Sequence, residues 1–166
     1  ILGHIFEQSI SDIEQLKGEL LGEEITTDEL VEKKESKRKK DGIFYTPEYI
    51  VDYIVQNSLM VYLEEKENEC LAKYKKENEA YQAYQHILQN IKVLDPACGS
   101  GAFLVKVFDY LYAENKRIGQ IVKSLFDDDE IYKSILRNNI YGVDLNAGWV
   151  VITKLSLWLK SAQKGK

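Results

Sequence analysis

The chain has 166 residues, 45% of them apolar, a net charge of −5 and a pI of about 5.2. This length suffices for one domain with a genuine core, and the acidic balance excludes a module whose whole surface grips phosphates. The longest mostly apolar stretches, such as 91–94 with Lys92 inside it and 102–105, are far too short to span a bilayer, so a soluble, cytoplasmic protein with no membrane partner is expected.

In chain order, Leu2, Ile5, Phe6, Ile10, Ile13 and Leu16 recur at spacings of three and four, which predicts an amphipathic helix over residues 2–16. Residues 22–41 carry Gly22, a Thr26-Thr27-Asp28 cluster and a basic run from Lys33 to Lys40. They read as a charged linker, solvated rather than bound to phosphate. At Thr46 the pattern turns helical again: Thr46 suits an N-cap, Pro47 the first helical position and Glu48 the positive end of the dipole. Ile50, Val51, Ile54, Val55 and Leu59 supply the expected buried stripe. A second, charged helix is predicted over 66–90, with Leu71, Tyr74, Tyr81, Tyr84 and Leu88 as its thin apolar line.

At Ile91 the character changes. Ile91 to Leu94 is a buried-type run stopped by Asp95-Pro96, because proline removes a backbone donor, and it reads as a strand. Phe103, Leu104, Val107, Phe108 and Leu111 then predict a helix. The acidic run from Asp127 to Glu130 reads as the capping feature of a short helix carrying Ile131, Ile135 and Leu136. Ile140 to Val143 forms a second strand ending at Asp144, followed by a helix with Val151, Leu155, Trp158 and Leu159. Strand, helix, strand, helix implies parallel pairing in an α/β fold, with too few strands for a finished sheet. The organisation expected is residues 1–41 as N-terminal helix and linker, 42–90 as a helical segment, and 91–166 as the opening β-α-β-α part of a cofactor-binding domain.

The sharpest signal is Asp95-Pro96-Ala97-Cys98-Gly99-Ser100-Gly101-Ala102-Phe103, between the first strand and its helix. Small residues let a ligand approach the backbone, and the helix start offers free N–H groups and a positive dipole end. The dinucleotide fingerprint fails because Leu104 stands where a third glycine is needed, and no Gly-Lys-Ser or Gly-Lys-Thr follows for a phosphate loop. An acidic residue before a short glycine pair suits an amino-acid moiety, with Asp95 receiving an ammonium group. Asp144, at the end of the neighbouring strand, can accept both hydroxyls of a ribose. Amino acid plus ribose points to S-adenosylmethionine, although on spacing alone an unrelated α/β turn stays open. Two isolated cysteines, Cys70 and Cys98, suit neither a disulfide framework nor a zinc site, and His4 and His86 read as surface or packing residues.

The stretch from Asp95 to Phe103 resembles motif I of amino-group DNA methyltransferases. Gly42-Ile43-Phe44-Tyr45-Thr46-Pro47-Glu48-Tyr49-Ile50-Val51 is similar to their motif X, which precedes motif I in the γ arrangement, and Ile140 to Asn146 is similar to motif II. The segments Leu2 to Ile10 and Lys154 to Leu159 also look like the large single-chain restriction-modification enzymes called type IIG, with type I modification subunits as cousins. The resemblance implies the start of a Rossmann-like sheet, incomplete here, that binds S-adenosylmethionine. Carried over by position, the cofactor residues are Tyr45, Thr46, Pro47, Asp95, Ala97, Cys98, Gly99, Gly101, Asp144 and Leu145. Tyr45 or Phe44 would face the sulfonium. Where the family often has proline after the motif II Asn, this chain has Ala147, at slight cost.

The resemblance further implies methyl transfer to adenine N6 in double-stranded DNA, with a restriction nuclease domain or a specificity subunit as partner. The family's catalytic motif, Asp, Asn or Ser followed by Pro-Pro and Tyr or Phe, is not in the chain, whose two prolines are Pro47 and Pro96. Together with the start at Ile1, this leads to the expectation of an excised, inactive front part of the enzyme. Glu32-Lys33-Lys34 and Glu35-Ser36-Lys37 match a short nuclease pattern only by chance in a charged run. The alternatives are an RNA methyltransferase, which shares the glycine loop, and a non-catalytic helical interaction module.

Overall fold

The computed structural model describes residues 46–123 and 127–164. The helix expected over 2–16, the charged segment 22–41 and the start of motif X through Tyr45 lie outside the described residues. Residues 47–166 form one compact unit.

Helix α1 spans Glu48–Val55, one residue later than the sequence predicts. Pro47, not Thr46, holds the N-cap position: with φ −55° and ψ 142° it is still extended, and its carbonyl accepts the N–H groups of Ile50 and Val51. A π-helical turn, Gln56–Met60, joins α1 to α2 at Val61–Lys73. The buried residues Val51, Val55, Leu59 and Leu63 recur every four positions. That repeat overshoots the roughly 3.6 residues of an α-helical turn, and the wider i→i+5 turn takes up the excess, keeping one stripe on the core. Ile54, expected in this stripe, is exposed.

The single helix predicted over 66–90 is two. Tyr74 and Lys76 are extended, and α3, Glu77–Asn90, folds back on α2. Leu71 drops out of the expected apolar line and is exposed, whereas Tyr84 and Leu88 are completely buried. The turn lets Glu67 on α2 share Arg117 with Glu114 at 2.7 and 2.6 Å, while the buried Tyr84 hydroxyl donates to Glu114 at 2.9 Å.

Strand β1, Val93–Asp95, pairs in parallel with β2, Ile140–Gly142, in the register Val93 to Ile140 and Asp95 to Gly142. Between them run α4, Ala102–Val122, and α5, Asp128–Asn138; α6, Ala147–Lys164, follows β2. The described part is therefore mostly helical around a small two-stranded parallel sheet. Helix α4 is its axis. Leu104, Val107, Phe108, Leu111 and Ile118 lie on one helical face and are all buried, against α1, α3, α5, α6 and both strands. Each such side chain stabilises the fold by about 1.5–3 kcal/mol. The acidic run caps α5 as expected: Asp127 accepts the Glu130 N–H at 2.8 Å, and Glu130 reaches back to the Asp127 N–H at 3.2 Å.

On α6 the expected apolar line is the wrong face. Val151, Leu155 and Trp158 are exposed, and Trp149, Ile152, Thr153 and Leu157 are buried. The register partners Leu94 and Tyr141 are likewise exposed. No helix among the described residues is long and apolar enough to cross a membrane.

One buried polar side chain ties the helical part to the sheet. Asn139, 1% exposed, donates through Nδ2 to the carbonyls of Leu88 at 2.9 Å and Ile91 at 2.7 Å, joining the end of α3 to the start of β2. Asn139→Ala strands both acceptors, and urea unfolding is expected to show a loss of about 2–3 kcal/mol. A change within error would mean that water replaces the amide.

Candidate cofactor site

The site lies at the C-terminal ends of the two parallel strands, where ligands enter open α/β sheets. The ladder continues into it: the Val143 N–H donates to Asp95 O, and the Cys98 N–H donates to Val143 O, each at 2.9 Å. The glycine loop is thus stitched along the segment leaving β2. Gly142 makes this approach feasible, because a Cβ there would lie 2.7 Å from Leu104 Cδ1 and 3.2 Å from the Cys98 thiol.

Within the loop, the Gly101 N–H closes a turn on Cys98 O at 2.8 Å. Gly99 at φ +50° and Gly101 at φ +85° both occupy the left-handed region that side chains disfavour. They differ in surroundings. A Cβ on Gly99 would meet none of the described residues within 4 Å, whereas one on Gly101 would lie 2.8 Å from Thr153 Cγ2. Gly101 then leads into α4, whose first turn leaves N–H groups without partners in its own helix.

The two strand-end carboxylates flank this loop. Asp95 Oδ1 accepts the Ala97 N–H at 3.1 Å, while Asp95 Oδ2 is buried and has no hydrogen-bond partner among the described residues. Asp144 closes the other side: Oδ2 accepts the Gly99 N–H at 2.9 Å and Oδ1 the Asn146 N–H at 2.8 Å. A carboxylate has roughly four lone-pair sites, so Asp144 keeps capacity for further donors. Leu145 beside it is fully exposed.

Cys98 is buried at the loop's base. Burial pushes its thiol above the ordinary value; the Thr153 contact opposes this, and the Asp95 and Asp144 carboxylates add to it. A neutral buried thiol at physiological pH is no nucleophile, so Cys98 acts through packing and its backbone.

The structure brings together Asp95, Ala97, Cys98, Gly99, Gly101, Asp144 and Leu145. Pro47 opens α1, which packs along α4 and is joined to it by the Asp52–Lys106 ion pair. Thr46 belongs to the segment preceding the compact unit, and Tyr45 lies outside the described residues. Sequence reasoning missed Gly142, Asn146 and Thr153. The available signal for Thr153 was a hydroxyl residue set inside the apolar run Val150-Val151-Ile152 to Leu155.

Comparison with known proteins decides the family. Residues 71–166 match the MmeI DNA-methyltransferase domain. The chain belongs to this family. A protein of Methanocaldococcus jannaschii named for type II restriction and methyltransferase functions is 33% identical over 148 residues, an alignment covering 75% of this chain and 12% of the relative. The adenine-specific methyltransferase BrxX of Escherichia coli is 32% identical over 117 residues, covering 61% of this chain and 9% of the relative. The chain therefore spans only a small part of the length of these curated relatives. The MmeI-family match takes in both strands, the glycine loop, Asp144 and Thr153, while Thr46, Pro47 and α1 precede it.

Proposed function

We propose that this chain forms the S-adenosylmethionine-binding part of a DNA methyltransferase that modifies adenine N6 within a restriction-modification system. The observation that carries the reading is the buried Asp95 Oδ2, without a hydrogen-bond partner among the described residues, beside a glycine loop at the ends of two parallel strands. A buried anionic acceptor without a donor is costly, and the ammonium group of an amino-acid ligand supplies the donor. The open side of Gly99 and the first turn of α4 take the ligand's carboxylate end. Asp144, already fixed by two backbone N–H groups, presents its remaining lone pairs to the ribose hydroxyls. The exposed Leu145 offers an apolar surface to the adenine ring.

In this reading residues 91–166 open a Rossmann-like methyltransferase domain, 42–90 is a helical segment bearing motif X, and 1–41 is the helix and linker before it. Bound at this site, S-adenosylmethionine supplies an activated methyl group. The chain's residues contribute binding and orientation, which in a direct transfer is much of what an enzyme provides. No Pro-Pro motif stands in the sequence to hold an extruded base, so this chain alone is expected to bind the cofactor without methylating DNA. Motif X, with Tyr45, Thr46 and Pro47, is assigned to the methionine end of the cofactor. Double-stranded DNA is the substrate, and a nuclease domain or specificity subunit the functional partner.

Mass spectrometry of nucleosides from cells expressing the protein that carries this chain tests the reading. N6-methyladenine in DNA, lost in Asp95→Ala, is expected. Methylation confined to RNA or to cytosine contradicts it.

A further inference from the structure

Tyrosine, tryptophan and cysteine aside, Thr153 is one of two buried polar or charged side chains among the described residues, at 5% exposure. The other, Asn139, serves the fold, whereas Thr153 faces the loop. Its Oγ1 lies 2.7 Å from the Gly99 carbonyl and 3.8 Å from the Cys98 thiol, across 54 and 55 positions of chain. A hydroxyl has one proton, and Thr153 donates it to the carbonyl, which can only accept. The same side chain walls in Gly101, with Cγ2 2.8 Å and Oγ1 3.0 Å from where a Gly101 Cβ would be.

Resting on the cofactor reading above, we propose that Thr153 is the positioning residue of the glycine loop, holding the Gly99–Ser100 peptide so that its N–H is aimed at the amino-acid end of the ligand. The peptide is trans, so a carbonyl drawn toward α6 turns the Ser100 N–H the opposite way, away from that helix. Thr153 suits the task because its hydroxyl sits directly on Cβ, so a single side-chain torsion places it. Its helix is itself anchored, by buried Trp149, Ile152 and Leu157 and by the Lys160–Asp109 ion pair at 2.7 Å. A loop with two left-handed glycines has many unbound conformations, and a latch at its centre removes their entropic cost from binding. The Gly99 N–H belongs to the preceding peptide and is held separately by Asp144. The ribose side is therefore set independently of Thr153.

That independence provides the test. The full chain and its Thr153→Val and Thr153→Ser variants are titrated calorimetrically with S-adenosylmethionine and with 5′-methylthioadenosine, which lacks the amino-acid portion, with melting temperatures recorded alongside. Thr153→Val is expected to lose roughly tenfold in S-adenosylmethionine affinity, from one unlatched hydrogen bond, with 5′-methylthioadenosine affinity unchanged. Thr153→Ser, which keeps the donor, is expected to match the wild type for both. Equal loss for both ligands, no loss, or a Ser variant as weak as Val overturns the proposal. If Thr153→Val does not fold, the Ser variant decides: a preserved ratio of the two affinities supports the latch and a fallen ratio overturns it. Binding of neither ligand by the wild type removes the cofactor reading itself, and the role of Thr153 with it.

Discussion

Gly101→Ala is expected to destabilise the chain by about 3 kcal/mol in urea unfolding, the largest effect of a single added methyl group in the site. Two costs combine. A left-handed backbone costs an alanine roughly 1–2 kcal/mol, and φ at Gly101 is +85°. The new Cβ would also stand 2.8 Å from Thr153 Cγ2 and 3.0 Å from its Oγ1. Thr153 is buried and stiff, so relief requires a backbone shift, and overpacking of this kind adds about 1–3 kcal/mol. Gly99→Ala separates backbone strain from crowding. Its φ is +50° and its Cβ would meet nothing within 4 Å among the described residues, so the stability loss is expected near 1 kcal/mol. The methyl group there projects where the ligand is placed, and cofactor affinity is expected to fall despite the milder destabilisation. Equal stability losses in the two variants would contradict the distinct surroundings assigned to the two glycines.

Asp144→Ala is expected to lower S-adenosylmethionine affinity by roughly a hundredfold, through loss of charge-assisted hydrogen bonds to the ribose and of the brace on the loop. The side chain accepts the N–H groups of Gly99 and Asn146 at 2.9 and 2.8 Å, and in the proposed reading it also receives ligand hydroxyls with its remaining lone pairs. Both are lost in alanine. Unlike Thr153→Val, this variant should weaken 5′-methylthioadenosine along with S-adenosylmethionine, because the ribose is common to the two. Calorimetric titration of both ligands checks this. Unaltered affinity for 5′-methylthioadenosine would remove Asp144 from the ribose site.

The parts of the site legible in the sequence are those whose chemistry is local. Asp95, the two glycines and the start of α4 lie within eight positions of each other, and small residues after a strand have few uses other than a close backbone approach. The Asp127–Glu130 capping box is legible for the same reason, since both partners lie within one turn. Thr153 and Asn139 act on carbonyls about fifty positions away, and nothing in their own neighbourhoods names the partner. The break between α2 and α3 falls at Tyr74-Lys75-Lys76, where no proline or glycine marks it. Tertiary packing of Tyr84 and Leu88 places it there instead. Periodicity also identified α6 as a helix while misplacing its buried side, because Val150-Val151-Ile152 and Leu155 to Leu159 put apolar residues on more than one face. The step from Thr46 to Pro47 at the head of α1 reflects ψ at the proline, which the ring leaves free while fixing φ.

The central claim, that the loop from Asp95 to Gly101 and the turn at Asp144 together hold S-adenosylmethionine, is tested most directly by amide NMR of the chain during titration with that compound. Saturable shifts centred on Ala97, Gly99, Ser100, Gly101, Asp144 and Leu145 are expected. The absence of saturable shifts, or shifts centred on the polar hollow lined by Gln85, Asn115, Lys116 and Lys123, would contradict it.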